Sequence, residues 1–227
     1  MDQQELNMDK TLVIGANGQI GRQLIGMMAL ANMPVKAMVR NSEHAQKLEQ
    51  LGAEIMLADL EQPLPDEAFA DCDKVVFTAG SGGKTGADKT ILVDLWGAVK
   101  AVDMAKKHHI KQFVMVSARD AGDPENGTPA IKHYNICKHF ADKHLLESGV
   151  PFTILRPGRL TDDAATGKIT TQRPSDKDAM VITRADVAAC VLQCLDHSEA
   201  INQVDEIYNG DMPIAEAFIK SVKGRLG

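Results

Sequence analysis

The chain has 227 residues, enough for one large hydrophobic core with at most a small appendage. Its 44% hydrophobic and 25% charged residues are the balance of an ordinary globule, and a net charge of −6 argues against nucleic acid as the main partner. No apolar run approaches the roughly 20 residues needed to cross a bilayer.

Residues 1–10 are polar and carry no signal-peptide pattern, so they are expected to be a disordered lead-in in a cytoplasmic protein with no membrane contact. Residues 11–227 are expected to form one domain. Six short apolar, β-branched runs read as buried parallel strands: 11–16, 35–40, 54–58, 74–79, 112–117 and 152–156. Between them, segments with apolar residues three and four apart predict helices over 20–31, 43–51, 90–107 and 131–148. This alternation predicts an α/β fold, a doubly wound parallel sheet with helices on both faces. After Gly158 the pattern loosens. Residues 161–178 read as a loop or lid, followed by a helix (184–196), a strand (206–209) and a last helix (214–222), together a small C-terminal cap.

Four cysteines are too few and too scattered for a disulfide framework, and Cys190 and Cys194 on an apolar helix face read as core rather than metal ligands. His108, His109 and His133 read as helix-surface residues. Ser81-Gly82-Gly83-Lys84-Thr85-Gly86 contains Gly-Lys-Thr but lacks the glycine that a phosphate-binding P-loop needs at position 78, which is Thr78. It reads as a flexible loop over a bound cofactor, with Lys84 a candidate phosphate contact.

The first strand runs into Gly15-Ala16-Asn17-Gly18-Gln19-Ile20-Gly21, which opens a helix. Glycines at this spacing allow a tight turn, close backbone approach to a pyrophosphate, and tight packing of helix on sheet. The helix amino end adds free N–H groups and a positive dipole end. Gly15, Asn17, Gly18, Gln19, Ile20 and Gly21 are therefore the expected dinucleotide-phosphate turn. An acidic residue at the end of the second strand would hold the ribose of NAD. Here Arg40 stands there, followed by Asn41-Ser42 at the next helix start, which suits the 2′-phosphate of NADP instead.

The glycine turn, Ala58-Asp59-Leu60, Phe113 to Ala118, Tyr134-Asn135-Ile136-Cys137-Lys138, Thr153 to Gly158 and Ile182 to Ala188 occur in the order found in a known group. The chain resembles an atypical member of the short-chain dehydrogenase/reductase superfamily, in its epimerase-like NAD(P)-binding branch. That resemblance implies Asp59 against the adenine, with Leu60, Thr78, Ala79, Gly80 and Pro157 along the cofactor. It also implies a catalytic group of Ser117, Tyr134 and Lys138.

Tyr134 and Lys138 are four apart on a predicted helix and share a face. A nearby ammonium would lower the tyrosine pKa, so that Tyr134 could exchange a proton with a substrate hydroxyl or carbonyl. Lys138 could also hold the nicotinamide ribose, and Ser117, past the end of its strand, could orient the carbonyl. Two functions remain open. One is an NADP(H)-dependent oxidoreductase or epimerase acting on a small carbonyl, hydroxyl or sugar-like substrate. The other is a non-catalytic sensor of NADP(H) occupancy that presents its surface to a protein partner. The oligomeric state is not legible.

Overall fold

The computed structural model describes residues 9–218. Six strands form where expected: β1 (Thr11–Ile14), β2 (Val35–Val39), β3 (Glu54–Leu57), β4 (Lys74–Phe77), β5 (Gln112–Val116) and β6 (Phe152–Pro157). β1, β2 and β5 are buried along their whole length, because helices cover both faces of a parallel sheet and each side chain meets a core. The spatial order β3-β2-β1-β4-β5-β6 turns around at β1, whose neighbours are β2 and β4. That reversal opens a crevice at the carboxyl ends of β1 and β4, where ligands of such sheets bind.

The helices are α1 (Gln19–Leu30), α2 (Ala45–Glu49), α3 (Asp66–Phe69), α4 (Ala87–Lys89), α5 (Ala98–Lys107), α6 (Lys132–Ser148) and α7 (Arg184–Asp196). α1 and α7 pack together over one face of the sheet, burying Leu24, Ile25, Met28, Val187 and Val191 in a single cluster. α5 and α6 cover the other face through Ala101, Val102, Ala105, Ala141 and Leu145. Cys190 and Cys194 belong to the first cluster, with thiols that burial pushes up, and no group of metal-ligating side chains occurs among the described residues. α6 ends at Gly149, whose φ of +81° is the left-handed turn that glycine permits.

Several expectations need correction. The predicted helix 90–107 is not uniform: Thr90–Gly97 winds as a π-helix and only Ala98–Lys107 as an α-helix. The predicted helix over 43–51 divides too, into a 3₁₀ turn (Ser42–His44) and the short α2.

Beyond Gly158 the chain builds its small C-terminal part and also extends the sheet. β10 (Gln203–Asn209) lies parallel to β6 and is longer than the predicted 206–209. The supposed loop 161–178 contains β8 (Lys168–Thr170), antiparallel to β10, and β11 (Met212–Pro213) pairs with β8 in turn. Strands this short are specified by the partners that hydrogen-bond them, and their own sequence carries little signal. β7 (Arg159–Thr161) and β9 (Val181–Thr183) make a separate parallel pair. The last predicted helix begins at 214 and is followed to 218; its remainder lies outside the described residues.

The lead-in expected over 1–10 falls mostly outside the described residues. Its end is tied down, with the Lys10 ammonium 2.9 Å from Glu54 and 2.5 Å from Asp71. No described helix is long and apolar enough to cross a membrane.

One glycine contact holds α1 to the sheet. A Cβ on Gly21 would lie 2.4 Å from the Gly15 carbonyl oxygen and 2.9 Å from Ala16 Cα. Both are backbone atoms of the turn, so neither can yield without moving the strand end. Gly21→Ala is therefore expected to destabilise the protein by about 1–3 kcal/mol, the usual cost of overpacking. Urea unfolding followed by circular dichroism measures it.

Candidate dinucleotide and active site

The site is built from the carboxyl ends of β1 to β5. Leaving β1, the chain turns sharply at Gly15, whose φ of +87° and 2.6 Å approach of a would-be Cβ to the Ala79 nitrogen leave no room for a side chain. The Gly18 N–H closes the turn by donating to the Gly15 carbonyl (2.9 Å). Gly18 is extended (φ −63°, ψ 161°) and caps α1 with no side chain, so the first N–H groups of the helix stay free. Thr78 fastens the turn to β4 from beneath, its hydroxyl donating to the carbonyls of Ile14 (3.1 Å) and Gly15 (3.3 Å).

A cleft of about 390 Å³ opens above this turn. Of the residues expected to hold a cofactor, Gly15, Asn17, Gly18, Arg40, Asp59, Leu60, Ala79 and Gly80 line it together. A Cβ on Gly18 would approach only the Gly15 carbonyl, at 3.1 Å, and otherwise meet open space. This is a cradle that a side chain would fill. Ile20 and Gly21 lie beneath it in the packing of α1, and Gln19 points aside, its amide donating to Asp162 (3.1 Å). Pro157 is buried at the end of β6, away from the cleft wall.

The cleft also takes His44, Glu61, Lys89 and Val93, which sequence reasoning missed, together with Ser81 and Thr85 of the loop expected over the cofactor. Lys84 is exposed and does not line it; Ser81 and Thr85 bring their loop to the wall. The spacing of Ser81 and Thr85 could have indicated this, since Thr85 Oγ1 donates back to the Ser81 carbonyl (3.1 Å).

The second half of the site lies around α6. Tyr134, Lys138 and Asp142 sit on successive turns, four residues apart, and so share one face. Tyr134 is half-buried, and its hydroxyl has no hydrogen-bond partner among the described residues. Two buried carboxylates flank it, Asp94 from the π-helical segment and Asp142 from α6. Burial, then Asp94 and Asp142, push the Tyr134 phenol well above its ordinary pKa. Asp94 in turn reaches the cleft wall, accepting from the Ser81 N–H (2.9 Å).

Lys138 departs from expectation. It is 1% exposed, its ammonium donating to the Val116 carbonyl (2.9 Å) beside the Phe77 ring. Burial pushes its pKa down, and it is not among the charges that move Tyr134. The expected lowering of the tyrosine pKa is thus reversed, first by burial of the phenol and then by the negative charges of Asp94 and Asp142. The ammonium is held at the end of β5.

Ser117 follows directly, 3% exposed, with its hydroxyl facing Asp142 but lacking a partner of ordinary hydrogen-bond geometry. The other Asp142 oxygen accepts from Arg156 Nε (3.0 Å).

A reversed-order parallel sheet, a glycine turn at its switch point and a cleft across the strand ends define a Rossmann-like dinucleotide-binding protein. Residues 15–198 match the NAD(P)H-binding family model, and the chain belongs to that family. It is 45% identical to a Bacillus subtilis (strain 168) protein named "uncharacterized sugar epimerase YhfK", over 93% of this chain and 99% of that one. A solved structure from Bacillus halodurans, provisionally described as an NAD-dependent epimerase/dehydratase, superposes with a TM-score of 0.89 at 42% identity, covering 93% and 99% of the two chains. The oxidoreductase ylbE from Lactococcus lactis superposes with a TM-score of 0.84 at 28% identity, covering 94% and 97%. The family is thus one of nicotinamide-cofactor proteins with epimerase- and oxidoreductase-named members, in keeping with the short-chain dehydrogenase/reductase resemblance.

Gly18→Val is expected to leave a folded protein and abolish dinucleotide binding, since the new side chain projects into the cleft. Circular dichroism run beside a fluorescence titration with NADPH checks both halves of that statement.

Proposed function

We propose that this protein is an NADPH-dependent oxidoreductase acting on a small carbonyl or sugar-like substrate, with Tyr134 as the proton donor. The observation that carries the reading is the placement of Tyr134: a half-buried phenol with an unpartnered hydroxyl on the helix face it shares with Lys138 and Asp142, held protonated first by burial and then by Asp94 and Asp142. A tyrosine used as a base wants a lowered pKa, whereas a general acid must hold its proton until the transition state. In its protonated form Tyr134 can give a proton to a carbonyl oxygen as hydride reaches the carbon.

When bound, the cofactor supplies the hydride. The protein's own part is to hold and to protonate. Gly15 and Gly18 let the backbone approach the pyrophosphate, and the free N–H groups of α1 face it. Arg40, exposed at the end of β2 with no ion-pair partner among the described residues, meets the adenosine 2′-phosphate. Ser117 holds the substrate carbonyl oxygen, and Tyr134 gives that oxygen its proton as negative charge develops there. Asp59 and Leu60 bound the adenine side of the cleft. Lys138 acts indirectly, fixing the strand end that carries Ser117.

Two measurements test this. The wild-type protein is expected to bind NADPH more tightly than NADH, and Arg40→Ala to shrink that preference by about 1–3 kcal/mol, the size of a charged hydrogen bond. Equal affinities in the wild type would remove the NADP assignment. In a reductase screen over aldehydes, quinones and sugar nucleotides, Tyr134→Phe is expected to lower turnover by roughly 10²–10⁴-fold with cofactor affinity nearly unchanged. A wild type without turnover on any carbonyl, and a Tyr134→Phe variant indistinguishable from it, would support the occupancy sensor in place of the enzyme.

A further inference from the structure

The charged groups of the cleft are not equivalent. Glu61 is neutralised by Lys89, whose ammonium lies 2.8 and 2.6 Å from its two oxygens. Asp59 is engaged in its own turn, one carboxylate oxygen accepting from the Glu61 N–H (2.9 Å). Arg40 and His44 also line the cleft, and neither side chain has a hydrogen bond or ion pair among the described residues. The acids and Lys89 are spoken for, whereas the Arg40 guanidinium and the His44 imidazole remain free, beside the neutral amides of Asn17 and Asn41.

The intervening chain explains how they come together. β2 ends at Val39 and Arg40 follows in the open. Ser42–His44 then makes a single 3₁₀ turn, which brings the chain back on itself, so that His44, four residues after Arg40, lines the same cleft. Ser42, expected to bond the phosphate, does not line the cleft. Nor is the turn long enough to act as a helix amino end toward an anion. Arginine offers a fixed fork of N–H donors that matches a phosphate, and an imidazole adds a ring N–H from a second direction.

We propose that His44 is a second recognition residue for the adenosine 2′-phosphate, forming with Arg40 a two-sided clamp for that group. This rests on the NADPH reading above and extends it to a residue outside the glycine turn and the strand end. Because the 2′-phosphate is the only part of the cofactor that the clamp touches, His44 contributes to choosing NADPH over NADH and contributes nothing to binding the shared remainder.

The test uses two fragments, adenosine 2′,5′-bisphosphate and 5′-AMP, titrated by calorimetry against the full-length wild type, Arg40→Ala, His44→Ala and His44→Gln. The bisphosphate is expected to bind the wild type at least tenfold more tightly than 5′-AMP. His44→Ala is expected to weaken the bisphosphate about 3- to 10-fold while leaving 5′-AMP within twofold. His44→Gln, which keeps an N–H donor, is expected to recover part of the loss. A bisphosphate affinity unchanged in His44→Ala, alongside a clear loss in Arg40→Ala, would overturn the clamp and leave the NADPH reading standing. Equal binding of the two fragments by the wild type would overturn the NADPH reading itself, and an equal loss of both in His44→Ala would mark a structural role and also overturn the clamp.

Discussion

The architecture depends on one backbone-to-backbone contact, the approach of the first glycine turn to the chain leaving β4. Gly15 stands against Thr78 and Ala79 too closely for any side chain, and Gly21 stands equally close to Gly15 and Ala16. These contacts bring the amino end of α1 down onto the crevice between β1 and β4. They also make the floor of the cleft out of peptide groups, leaving N–H donors unshielded where an anion can reach them. Thr78, in the position where a side chain might have entered the cleft, instead spends its hydroxyl on holding the turn.

From this floor the site divides into two halves with different physics. The cleft is open, with charged side chains and backbone N–H groups along it, and it suits the recognition of phosphates. The region around α6 is buried and electrostatically tense. Lys138, Asp94 and Asp142 lie within it at almost no exposure, so their mutual interactions are little screened by water. In such surroundings burial disfavours the charged form of a neighbour, and for Tyr134 the carboxylates of Asp94 and Asp142 add to that effect. Asp94 bridges the two halves, since it holds the Ser81 N–H of the cleft wall while facing Tyr134.

Much of this was legible in the sequence. Parallel strands covered on both faces must be continuous apolar runs, so β1 to β6 stood out, and the glycine turn was recognisable by its placement between strand and helix. The strands β8 and β11 were not legible, because two or three residues such as Met212-Pro213 become a strand only through a neighbour. Spacing put Tyr134 and Lys138 on one helix face correctly, but spacing does not say what lies opposite. Val116 and Phe77 receive the lysine, and Asp94 arrives from a π-helical segment that looked like ordinary helix. His44 was illegible for a similar reason: a single 3₁₀ turn decides whether the fourth residue after Arg40 leaves the cleft or returns to it.

The most direct test of the central claim is the crystal structure of the protein with NADPH bound. The account predicts the pyrophosphate against the N–H groups at Gly18 and the start of α1, the 2′-phosphate beside Arg40, and the nicotinamide end directed toward Ser117 and Tyr134. A dinucleotide bound away from the glycine turn, or one whose 2′-phosphate points into solvent with Arg40 disengaged, would contradict it.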